Sequence, residues 1–467
     1  MSVIKKTAKE PAKPSKATKT EEPKPKKIKA PPELLRGFRD ILPEDQGRWQ
    51  AIRDRARTMA DAYSFDRIDL PLLEKTDLFI RTVGKQTDIV EKEMYTFTDP
   101  GGDNVSMRPE ATASVARAYI NHGMINRPQP VKLFYEGPMF RHDRPQSGRY
   151  RQFHQFGFES IGVADPIVDA QLITIATQIF RDLGIDITVQ INSIGNLESR
   201  QAFLIELTSY FRPHRSKLSD DDKKRLQKNP LRLLDSKDPV VQELLVDAPQ
   251  ILDWIDEESK QHFMKVLEFL DDIEIPYMLN PHLVRGLDYY NKTVFEIWEA
   301  NDEGVRAQSA LGGGGRYDLL VEQLGGQPDT PGCGFAVGIE RVAKVLAEKG
   351  IDPQVRPQPQ VFFAQLGDAS RRVGLKLFEE FRQAGIVVSE AFGKNALKAQ
   401  LEVANKLGVS FTIILGQKEV LDGTIIVRDM DSGAQEIVDA SKIVSILQKK
   451  LHSSEGVVHS TQVAVED

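Results

Sequence analysis

A charged, helix-like stretch separates two strand-rich halves of this 467-residue chain. Residues 197 to about 275 contain no run typical of a strand, and segments such as SDDDKKRLQKNPLRLLDSKDP are dense in charge. Strand-like patterns precede this stretch and return at 282–299 and 305–312. We therefore predict a helical insertion, residues 197–276, between the two parts of a strand-rich domain.

The first strand-rich half, residues 33–196, has several regular patterns. Apolar residues at helical spacing predict an amphipathic helix within 46–63, and DLPLLE after it is extended, with Pro71 typical of an edge strand. Two short predicted strands flank a turn at 100–102. A strand pair is predicted for the segments VKLFYEGPMFRHD and RYRQFHQFGFESIG. A predicted helix and a predicted strand follow this pair.

Strands alternate with helices over residues 360–451. This alternation predicts a small α/β domain with a largely parallel sheet. The proline-rich stretch 351–359 is a predicted linker between this domain and the second strand-rich half, 277–350. The last residues, 452–467, are predicted to be frayed.

Composition excludes several classes of protein. The chain has one cysteine, Cys333, so neither a disulfide framework nor a multi-cysteine zinc site can form. No run approaches the roughly 20 apolar residues that span a membrane, and the N-terminus lacks the apolar core of a signal peptide. We therefore expect a cytoplasmic protein without a membrane partner.

The N-terminal tail, residues 1–32, differs in charge from the rest. It holds ten lysines and three glutamates, a net charge of +7, whereas the whole chain is −6. Without hydrophobic periodicity it cannot offset the entropy of ordering, so it is predicted to be disordered. Two interpretations stay open: a solvated tail without a role, and a weak, sequence-independent attraction for nucleic-acid phosphates.

Several familiar motifs do not occur in the sequence. The chain lacks a GxxxxGK[ST] phosphate loop, HExxH, GxSxG and any histidine–cysteine cluster with metal-ligand spacing. A P-loop nucleotide site is therefore excluded. Any nucleotide phosphates must therefore be bound by a different kind of segment.

Residues 140–159, FRHDRPQSGRYRQFHQFGFE, concentrate cationic and planar groups. Strand alternation would give one face the odd-numbered residues Arg149, Arg151, Phe153, Gln155, Gly157 and Glu159. Arginine binds polyphosphate in bidentate fashion, an aromatic face stacks on a base, and a carboxylate or an amide holds a polar substrate end. A surface hairpin with solvated charges is the alternative, but the density of these groups favours a site.

The segment LVRGLDYYNKTVFEI, 283–297, places a charge in a stretch otherwise typical of burial. In a strand, Arg285 and Tyr289 share one face and Asp288 lies on the other, although Gly286 can break the alternation. A partly exposed strand with a surface salt bridge and a ligand pocket both fit this pattern. Spacing alone does not select the tyrosine that faces a ligand.

Two glycine-rich segments are further candidates. ALGGGGRYDLLVEQLGG, 310–326, places four glycines after a strand and before a helix, and GCGFAVGIERV, 332–342, leads from a strand into a helix. Glycine lets a backbone approach a ligand closely, but glycine runs also form plain turns, so each signal is weak alone. Cys333 is interpreted as a small buried residue, because no histidine stands near it in the sequence.

Together these segments resemble the class II aminoacyl-tRNA synthetases and, among them, the histidyl-tRNA synthetase family. FRHD followed by RYRQF is similar to the second class-defining motif, GFAVGIER to the third, and the helix 46–63 with DLPLLE to the first, the dimer-interface motif. LVRGLDYY and GGGGRYD are similar to the two segments of the histidine-specific branch. The resemblance covers about residues 33–451. It implies an α+β catalytic domain with an antiparallel sheet, a helical insertion, and a C-terminal α/β anticodon-binding-like domain.

This resemblance implies an ATP-dependent ligase that acts on L-histidine. The histidine carboxylate attacks the α-phosphate of ATP, giving histidyl-adenylate and pyrophosphate, and the acyl group then passes to the terminal adenosine of tRNA(His). No covalent enzyme intermediate is needed, so catalysis rests on orientation and charge stabilisation. ATP brings Mg²⁺, whose protein ligands remain unknown from the sequence. The first motif implies a homodimer.

The resemblance also implies roles for individual residues. Arg141 would hold the α-phosphate and the substrate carboxylate, and Arg285 would act on the α-phosphate as charge develops there. The expected ATP-binding residues are Arg141, Arg149, Phe153 and Arg341. The expected histidine-binding residues are Glu110, Ala111, Thr112, Arg141, Gln155, Glu159, Arg285, Tyr289, Tyr290 and Tyr317.

Three of these expectations are more detailed. Glu159 and Tyr290 would meet the imidazole, and a site that satisfies both imidazole nitrogens rejects apolar isosteres. The charged loop 142–148 would touch the acceptor end of the tRNA. Asp143 stands where many class II enzymes have glutamate, which shortens the side chain but keeps its charge.

A non-catalytic paralogue that regulates histidine biosynthesis is the alternative function. Such proteins resemble the catalytic core but lack the anticodon domain and lose catalytic residues. This chain keeps the 360–451 domain together with Arg141, Arg285 and Arg341. These features favour the enzyme.

Overall fold

The computed structural model describes five stretches of the chain, residues 32–85, 87–144, 148–300, 310–353 and 358–458. The basic tail, apart from its last residue, lies outside the described residues. So does most of the strand predicted at 305–312.

The first helix forms where the apolar spacing predicts it. A 3-10 turn at Pro43–Asp45 leads into helix α1, Gln46–Ala62, and the fixed φ of proline suits this first helical position. Trp49, Ile52 and Ala56 share one face of α1 and are buried in the largest hydrophobic core. The predicted amphipathic helix is confirmed.

The next elements along the chain are short, and strands β2, β3 and β4 among them form a small sheet. In chain order the elements are strand β1 (Asp66–Arg67), strand β2 (Leu73–Lys75), helix α2 (Thr76–Thr82), strand β3 (Thr96–Thr98) and strand β4 (Asn104–Met107). β3 and β4 pair antiparallel across the predicted turn, and β2 lies on the other edge of β4. A π-helical turn, Ile89–Glu93, lies between α2 and β3.

Longer elements complete the first half. They are helix α3 (Thr112–Asn121), strand β5 (Val131–Phe140), strand β6 (Gln152–Ile161), helix α4 (Ile167–Asp182) and strand β7 (Ile187–Ser193). β5 and β6 pair antiparallel along their whole length, which confirms the predicted strand pair.

The charged middle stretch is helical, as predicted. Its helices are α5 (Leu197–Phe211), α6 (Asp220–Lys228), α7 (Pro239–Leu245) and α8 (Glu257–Asp272), joined by 3-10 turns at Arg215–Lys217, Pro230–Leu233 and Ile251–Asp253. The side chains that precede the four α-helices each accept a hydrogen bond from a backbone N–H of the first turn, as expected of good N-caps.

Helix α8 differs in its packing from the other three helices. Phe263, Val266 and Leu270 of α8 join the same core as α1 and α4. Side chains of α5, α6 and α7 form a second core with residues 283–294. This packing favours an insertion that ends before α8, although the predicted domain boundaries stay predictions.

The second half supplies the centre of the main sheet. Its elements are strand β8 (Tyr277–Leu279), strand β9 (Asn291–Glu299), strand β10 (Gly312–Arg316), helix α9 (Leu320–Gln323), strand β11 (Gly332–Gly338) and helix α10 (Ile339–Glu348). The eight strands lie in the order β1-β5-β6-β11-β10-β9-β7-β8. Pairing is antiparallel throughout except at the two edge strands, β1 and β8, which pair parallel.

Two predictions in this half were wrong. The strand predicted at 282–299 begins only at Asn291, and residues 284–290 form an irregular loop. The four glycines at 312–315 form part of strand β10 itself. Pairing with β9 on one side and β11 on the other outweighs the low strand propensity of glycine.

The main sheet has one face covered by helices. Helices α1, α4, α8 and α10 contribute to the core on this face, together with Phe158 of β6, Phe335 of β11 and Phe295 of β9. On the opposite face, Leu133 and Tyr135 of β5 form a smaller core with Val115 and Tyr119 of helix α3. Other side chains of this face line the candidate site.

The C-terminal segment forms a separate sheet with helices. Its elements are strand β12 (Val361–Gln365), helix α11 (Asp368–Gln383), strand β13 (Val388–Glu390), helix α12 (Leu397–Leu407), strand β14 (Phe411–Leu415), helix α13 (Gln417–Asp422), strand β15 (Thr424–Asp429), strand β16 (Gln435–Asp439) and helix α14 (Ile443–Val458).

The order of this sheet is β13-β12-β14-β15-β16. β12 pairs parallel with β13 and β14, whereas β15 and β16 pair antiparallel, so the sheet is mixed rather than largely parallel. Strand β16 and helix α13 were not predicted. Helix α14 continues to Val458, past the point where the sequence predicts fraying.

Candidate active site

A cavity of about 480 Å³ lies on the face of the main sheet opposite helices α1, α4, α8 and α10. Strands β6, β10 and β11, the loop 284–290 and the insertion all contribute to its wall. Ten of the predicted site residues line it: Glu110, Thr112, Arg141, Arg149, Phe153, Gln155, Arg285, Tyr289, Tyr290 and Arg341. The structure therefore brings together residues that lie up to 231 positions apart in the sequence.

Three predicted residues do not line the cavity. Ala111 is fully buried directly before helix α3. Glu159 and Tyr317 are also buried, and their side chains join in a hydrogen bond of 2.6 Å from the tyrosine hydroxyl to Oε2 of Glu159.

Alternation along β6 is only partly as predicted. Phe153 and Gln155 both face the cavity, with Arg149 before the strand. Arg151 does not line the cavity. Its Nη1 instead donates to the carbonyl of Arg36 at 3.2 Å. β6 begins at Gln152, so the strand rule does not apply to Arg151.

Three arginines give one end of the cavity a positive charge. Nε of Arg141 donates to the carbonyl of Pro109 at 2.8 Å, and its guanidinium lies 5.4 Å from the centroid of the Phe153 ring. Burial, together with the charges of Arg149 and Arg141, lowers the pKa of Arg341 to about 10. Cations that depress each other's pKa in this way create a site for an anion such as polyphosphate.

Arg285 has a paired and positioned guanidinium. Its Nη1 lies 2.5 Å from Oε1 of Glu296 on β9, and its guanidinium lies 5.8 Å from the Tyr290 ring centroid. Burial, the largest single effect, acts to lower the pKa of Arg285, but Glu296, Tyr290 and Tyr289 together outweigh it and the pKa is raised. Arg285 therefore stays charged in the cavity wall.

A second end of the site is polar and aromatic. Thr112 donates from its hydroxyl to Oε1 of Glu159 at 2.6 Å, on the opposite side of the carboxylate from Tyr317. Burial raises the pKa of Glu159 to about 8, against the opposing effect of these two hydrogen bonds. Tyr289 packs against Tyr290, with ring centroids 4.6 Å apart.

Glu110 is held by the start of helix α3. Its Oε1 accepts a hydrogen bond from the backbone N–H of Ala113 at 3.0 Å. Burial raises the pKa of Glu110, while the N–H groups of Ala113 and Thr112 act in the opposite direction. A carboxylate fixed in this way can accept from a substrate ammonium group with little rearrangement.

The glycines of the central strands make room for the site side chains. A Cβ atom added to Gly313 would lie 2.6 Å from Nη1 of Arg285, which is too close for any real contact. The same holds for three further glycine–side chain pairs: Gly157 with Tyr135, Gly332 with Tyr317, and Gly334 with Glu159. The glycine-rich segments therefore serve the site, but through neighbouring side chains rather than through a turn.

Matches to known families settle where this fold belongs. A family model for histidyl-tRNA synthetase matches residues 37–199 and 215–342. The chain belongs to the histidyl-tRNA synthetase family. A second family model, for an anticodon binding domain, matches residues 360–450, which contain the separate C-terminal sheet.

Relatives in this family are similar over nearly their whole length. A histidine–tRNA ligase from Dehalococcoides mccartyi is 46% identical over 89% of this chain and 99% of its own length. One from Desulforamulus reducens is 43% identical over 89% of this chain and 98% of its own. The crystal structure of apo S. aureus histidyl-tRNA synthetase has a TM-score of 0.73 at 37% identity, covering 89% of this chain and 99% of that one. The predicted class II synthetase fold is confirmed.

Sequence reasoning missed several cavity-lining residues in this member of the histidyl-tRNA synthetase family. They are Asp88, Glu93, Tyr135, Arg225, Arg232, Asp235, Glu296 and Glu340, among others. The glycine at 157, which admits the Tyr135 ring, was the only available signal for Tyr135. Arg225, Arg232 and Asp235 come from the insertion, and nothing in a charged helical stretch marks which charges face a site.

The described residues do not form a metal site built from several histidine, cysteine or carboxylate side chains. Within them, no group of three or more histidine, cysteine, aspartate or glutamate side chains is placed to hold a metal ion. Asp143, in the second class motif of the family, is paired with Nη1 of Arg149 at 3.2 Å. Single carboxylates such as Asp143 fit Mg²⁺ only as partial ligands beside phosphate oxygens and water.

Among the described helices, none has the length and apolar character needed to cross a membrane.

Proposed function

We propose that this chain is a histidine–tRNA ligase that forms histidyl-adenylate from L-histidine and ATP and then transfers histidine to the 3′ end of tRNA(His). The observation that carries the proposal is a single cavity with an arginine-rich end and a polar aromatic end. Family membership over both the catalytic core and the C-terminal domain supports it. Nothing in these findings supports the regulatory alternative.

The arginine-rich end is the proposed ATP site. Arg149 and Arg341 bind the outer phosphates and adenine, and Phe153 offers a ring face to the base. Arg341 is suited to this site because burial beside Arg149 and Arg141 lowers its pKa, an effect that the phosphates of a bound nucleotide would offset.

The polar aromatic end is the proposed histidine site. Glu110, Thr112 and Gln155 hold the substrate ammonium group. The backbone of Ala111 links Glu110 to Thr112 and so sets the spacing of these two side chains. Tyr290 hydrogen-bonds one imidazole nitrogen from the cavity wall, with Tyr289 packed beside it. The predicted contact of Glu159 with the other nitrogen requires its carboxyl group, which lies behind the wall bound to Thr112 and Tyr317, to become exposed when histidine binds. Loss of either hydrogen bond by an apolar isostere leaves a buried polar group unpaired, which gives selectivity for histidine.

Adenylate formation needs orientation and charge stabilisation. The histidine carboxylate oxygen attacks the α-phosphorus, and the bond to the pyrophosphate oxygen breaks. Arg141 and Arg285 both line the cavity, and they bind the reacting carboxylate and the α-phosphate oxygens as negative charge builds up. In the second step a hydroxyl of the terminal adenosine attacks the histidyl carbonyl, and AMP leaves.

Mg²⁺ is proposed to enter with ATP and to neutralise phosphate charge when bound. Asp143, Glu296 and Glu340 are carboxylates in the cavity wall that fit as single or water-mediated ligands. The chemistry assigned above to the arginines does not depend on which of them is used.

The partner molecules follow from the domains. The C-terminal sheet and its helices are the proposed binding site for the tRNA anticodon. The loop 142–148 is the proposed contact for the acceptor end of the tRNA, and residues 145–147 of this loop lie outside the described residues. We also propose a homodimer, from the resemblance of α1 and the strand after it to the first class motif, and a cytoplasmic location.

Aminoacylation tests the proposed function. The full chain, incubated with ATP, Mg²⁺, labelled histidine and tRNA(His), should give acid-precipitable histidyl-tRNA. Labelled glutamine or phenylalanine in parallel should not be incorporated. Absence of histidyl-tRNA in the presence of an active control synthetase would refute the proposal.

A further inference from the structure

The loop 284–290 carries Arg285 and Tyr290 but belongs to no strand or helix. Its backbone carbonyls therefore need hydrogen-bond partners from elsewhere. Two arginines of the insertion supply them. They are Arg200 of helix α5 and Arg232 of the 3-10 turn Pro230–Leu233.

The contacts follow alternate residues of the loop. Nη1 of Arg200 donates to the carbonyl of Asp288 at 3.2 Å and to that of Tyr290 at 3.1 Å. Nη2 of Arg232 donates to the carbonyl of Gly286 at 3.2 Å. On the catalytic-core side, the backbone N–H of Asp288 donates to the carbonyl of Val83 at 3.1 Å. The insertion thus holds three carbonyls of a loop that the core holds at one N–H.

Electrostatics also favour the contact of Arg200 with the loop. Burial lowers the pKa of Arg200, and the Asp288 carboxylate opposes this effect. Burial raises the pKa of Asp288, and Arg200 is the first of the two cations that oppose it. A charged donor forms stronger hydrogen bonds to carbonyls than a neutral one, so the contact resists loss to water.

The two ends of the loop are held differently. Arg285, near its start, is paired with Glu296 of β9 and so has an anchor in the main sheet. Tyr290, at its end, has its carbonyl bound by Arg200. Arg200 does not line the cavity, so it can affect substrate only through the residues that it holds.

We propose that Arg200 is a positioning residue that sets Tyr290 against the histidine end of the cavity, so that the insertion and the histidine site are coupled through one side chain. This inference rests on the proposed function. Because Arg285 is anchored separately, loss of Arg200 affects the binding of histidine more than that of ATP.

Steady-state ATP–pyrophosphate exchange of the full chain tests this assignment with the Arg200→Met variant. Methionine keeps a long side chain but removes every donor. The KM for histidine should rise by about tenfold, since misplacement of a positioned group by a fraction of an ångström has effects of this size, while the KM for ATP should change by less than about twofold. Arg200→Lys, which keeps the charge but not the planar group, should fall between the wild type and Arg200→Met in the KM for histidine.

Arg212→Met is the matched control, because Arg212 follows the same helix directly and is exposed. Its KM values should equal those of the wild type. Equal changes in both KM values for Arg200→Met, or a lower melting temperature with unchanged KM values, would show a merely structural role and overturn the inference. If Arg200→Met does not fold, wild-type KM values in Arg200→Lys would overturn it. A wild-type chain without histidine-dependent exchange would instead refute the proposed function.

Discussion

At the scale of single residues, Arg285 combines a proposed catalytic position with an ion pair in the cavity wall. Its guanidinium lines the cavity, and its partner, Glu296, is largely buried on β9. Removal of the arginine therefore has two separable consequences. It takes a cation from the proposed position of the reacting phosphate, and it leaves the Glu296 carboxylate without its arginine partner.

Arg285→Ala should reduce histidine-dependent ATP–pyrophosphate exchange by roughly 10²–10³-fold, the usual cost of losing one transition-state charge contact. It should also cost about 1–3 kcal/mol of stability, because Glu296 is left unpaired. Adding Glu296→Gln should restore the melting temperature but not the exchange rate. Arg382→Ala, at an exposed arginine of α11, is the control. Wild-type exchange in Arg285→Ala would contradict the catalytic role.

Glu159 is a buried carboxyl whose titration affects folding. Its pKa is raised from the ordinary 4.5 to about 8, so the folded chain keeps a proton that the unfolded chain releases above pH 4.5. The stability from this group is fully present below pH 4.5 and is lost as the pH rises towards 8. Urea unfolding should therefore show the wild type losing stability relative to Glu159→Gln between pH 5 and pH 8. A difference that stays constant over this range would contradict the assignment.

The sequence was sufficient to predict those site residues that lie in a regular strand pattern or in a motif of the family. Phe153 and Gln155 follow from strand alternation, and Arg285 from an arginine in an otherwise apolar stretch. The alternation predicted for 283–290 failed, since Tyr289 and Tyr290 both line the cavity. Adjacent residues cannot face the same side of a strand, whereas the irregular loop 284–290 allows it.

At the scale of elements, strand β10 is shaped by the side chains that cross it. Its glycines pair with β9 and β11 and leave space for Arg285 over the sheet. The sequence pattern placed these glycines after a strand, as a close approach to a ligand or a plain turn, because the need for small residues within a strand arises from distant segments. The low strand propensity of glycine therefore gave no indication of strand β10, whereas the long apolar patterns of α1, β5 and β6 were sufficient to predict those elements.

Gly313→Ala should lower activity and stability together. The added methyl group would lie 2.6 Å from both Nη1 of Arg285 and the carbonyl of Phe295, so either the guanidinium or the strand must shift. Overpacking of this kind costs about 1–3 kcal/mol. Gly393→Ala is the control, because no atom lies within 4 Å of its added methyl group. Thermal melts and exchange rates of the two variants would check this, and an unchanged Gly313→Ala would contradict it.

At the scale of the whole molecule, the described hydrophobic cores divide at the predicted linker. Two cores contain only residues from 361–451, and the other four only residues up to 351. The alternating pattern beyond residue 360 was sufficient to predict a separate unit. Its mixed pairing was not predictable, because the short connection through α13 returns the chain antiparallel without a strong sequence signal.

Deletion of residues 360–467 should separate the two reaction steps. Adenylate formation uses the cavity alone and should stay within a few-fold of the full chain, whereas tRNA charging should fall by about 100-fold with the loss of a second binding surface. Exchange by the truncated chain serves as its own control for folding. Equal losses in both reactions would contradict a separate tRNA-binding role for the C-terminal domain.

The central claim is that one cavity selects histidine and activates it with ATP. Histidine-dependent ATP–pyrophosphate exchange, measured for the full chain against a panel of amino acids, tests it most directly. We expect exchange with histidine and none above background with glutamine, asparagine or phenylalanine. No exchange with histidine, or equal exchange with another amino acid, would contradict the claim.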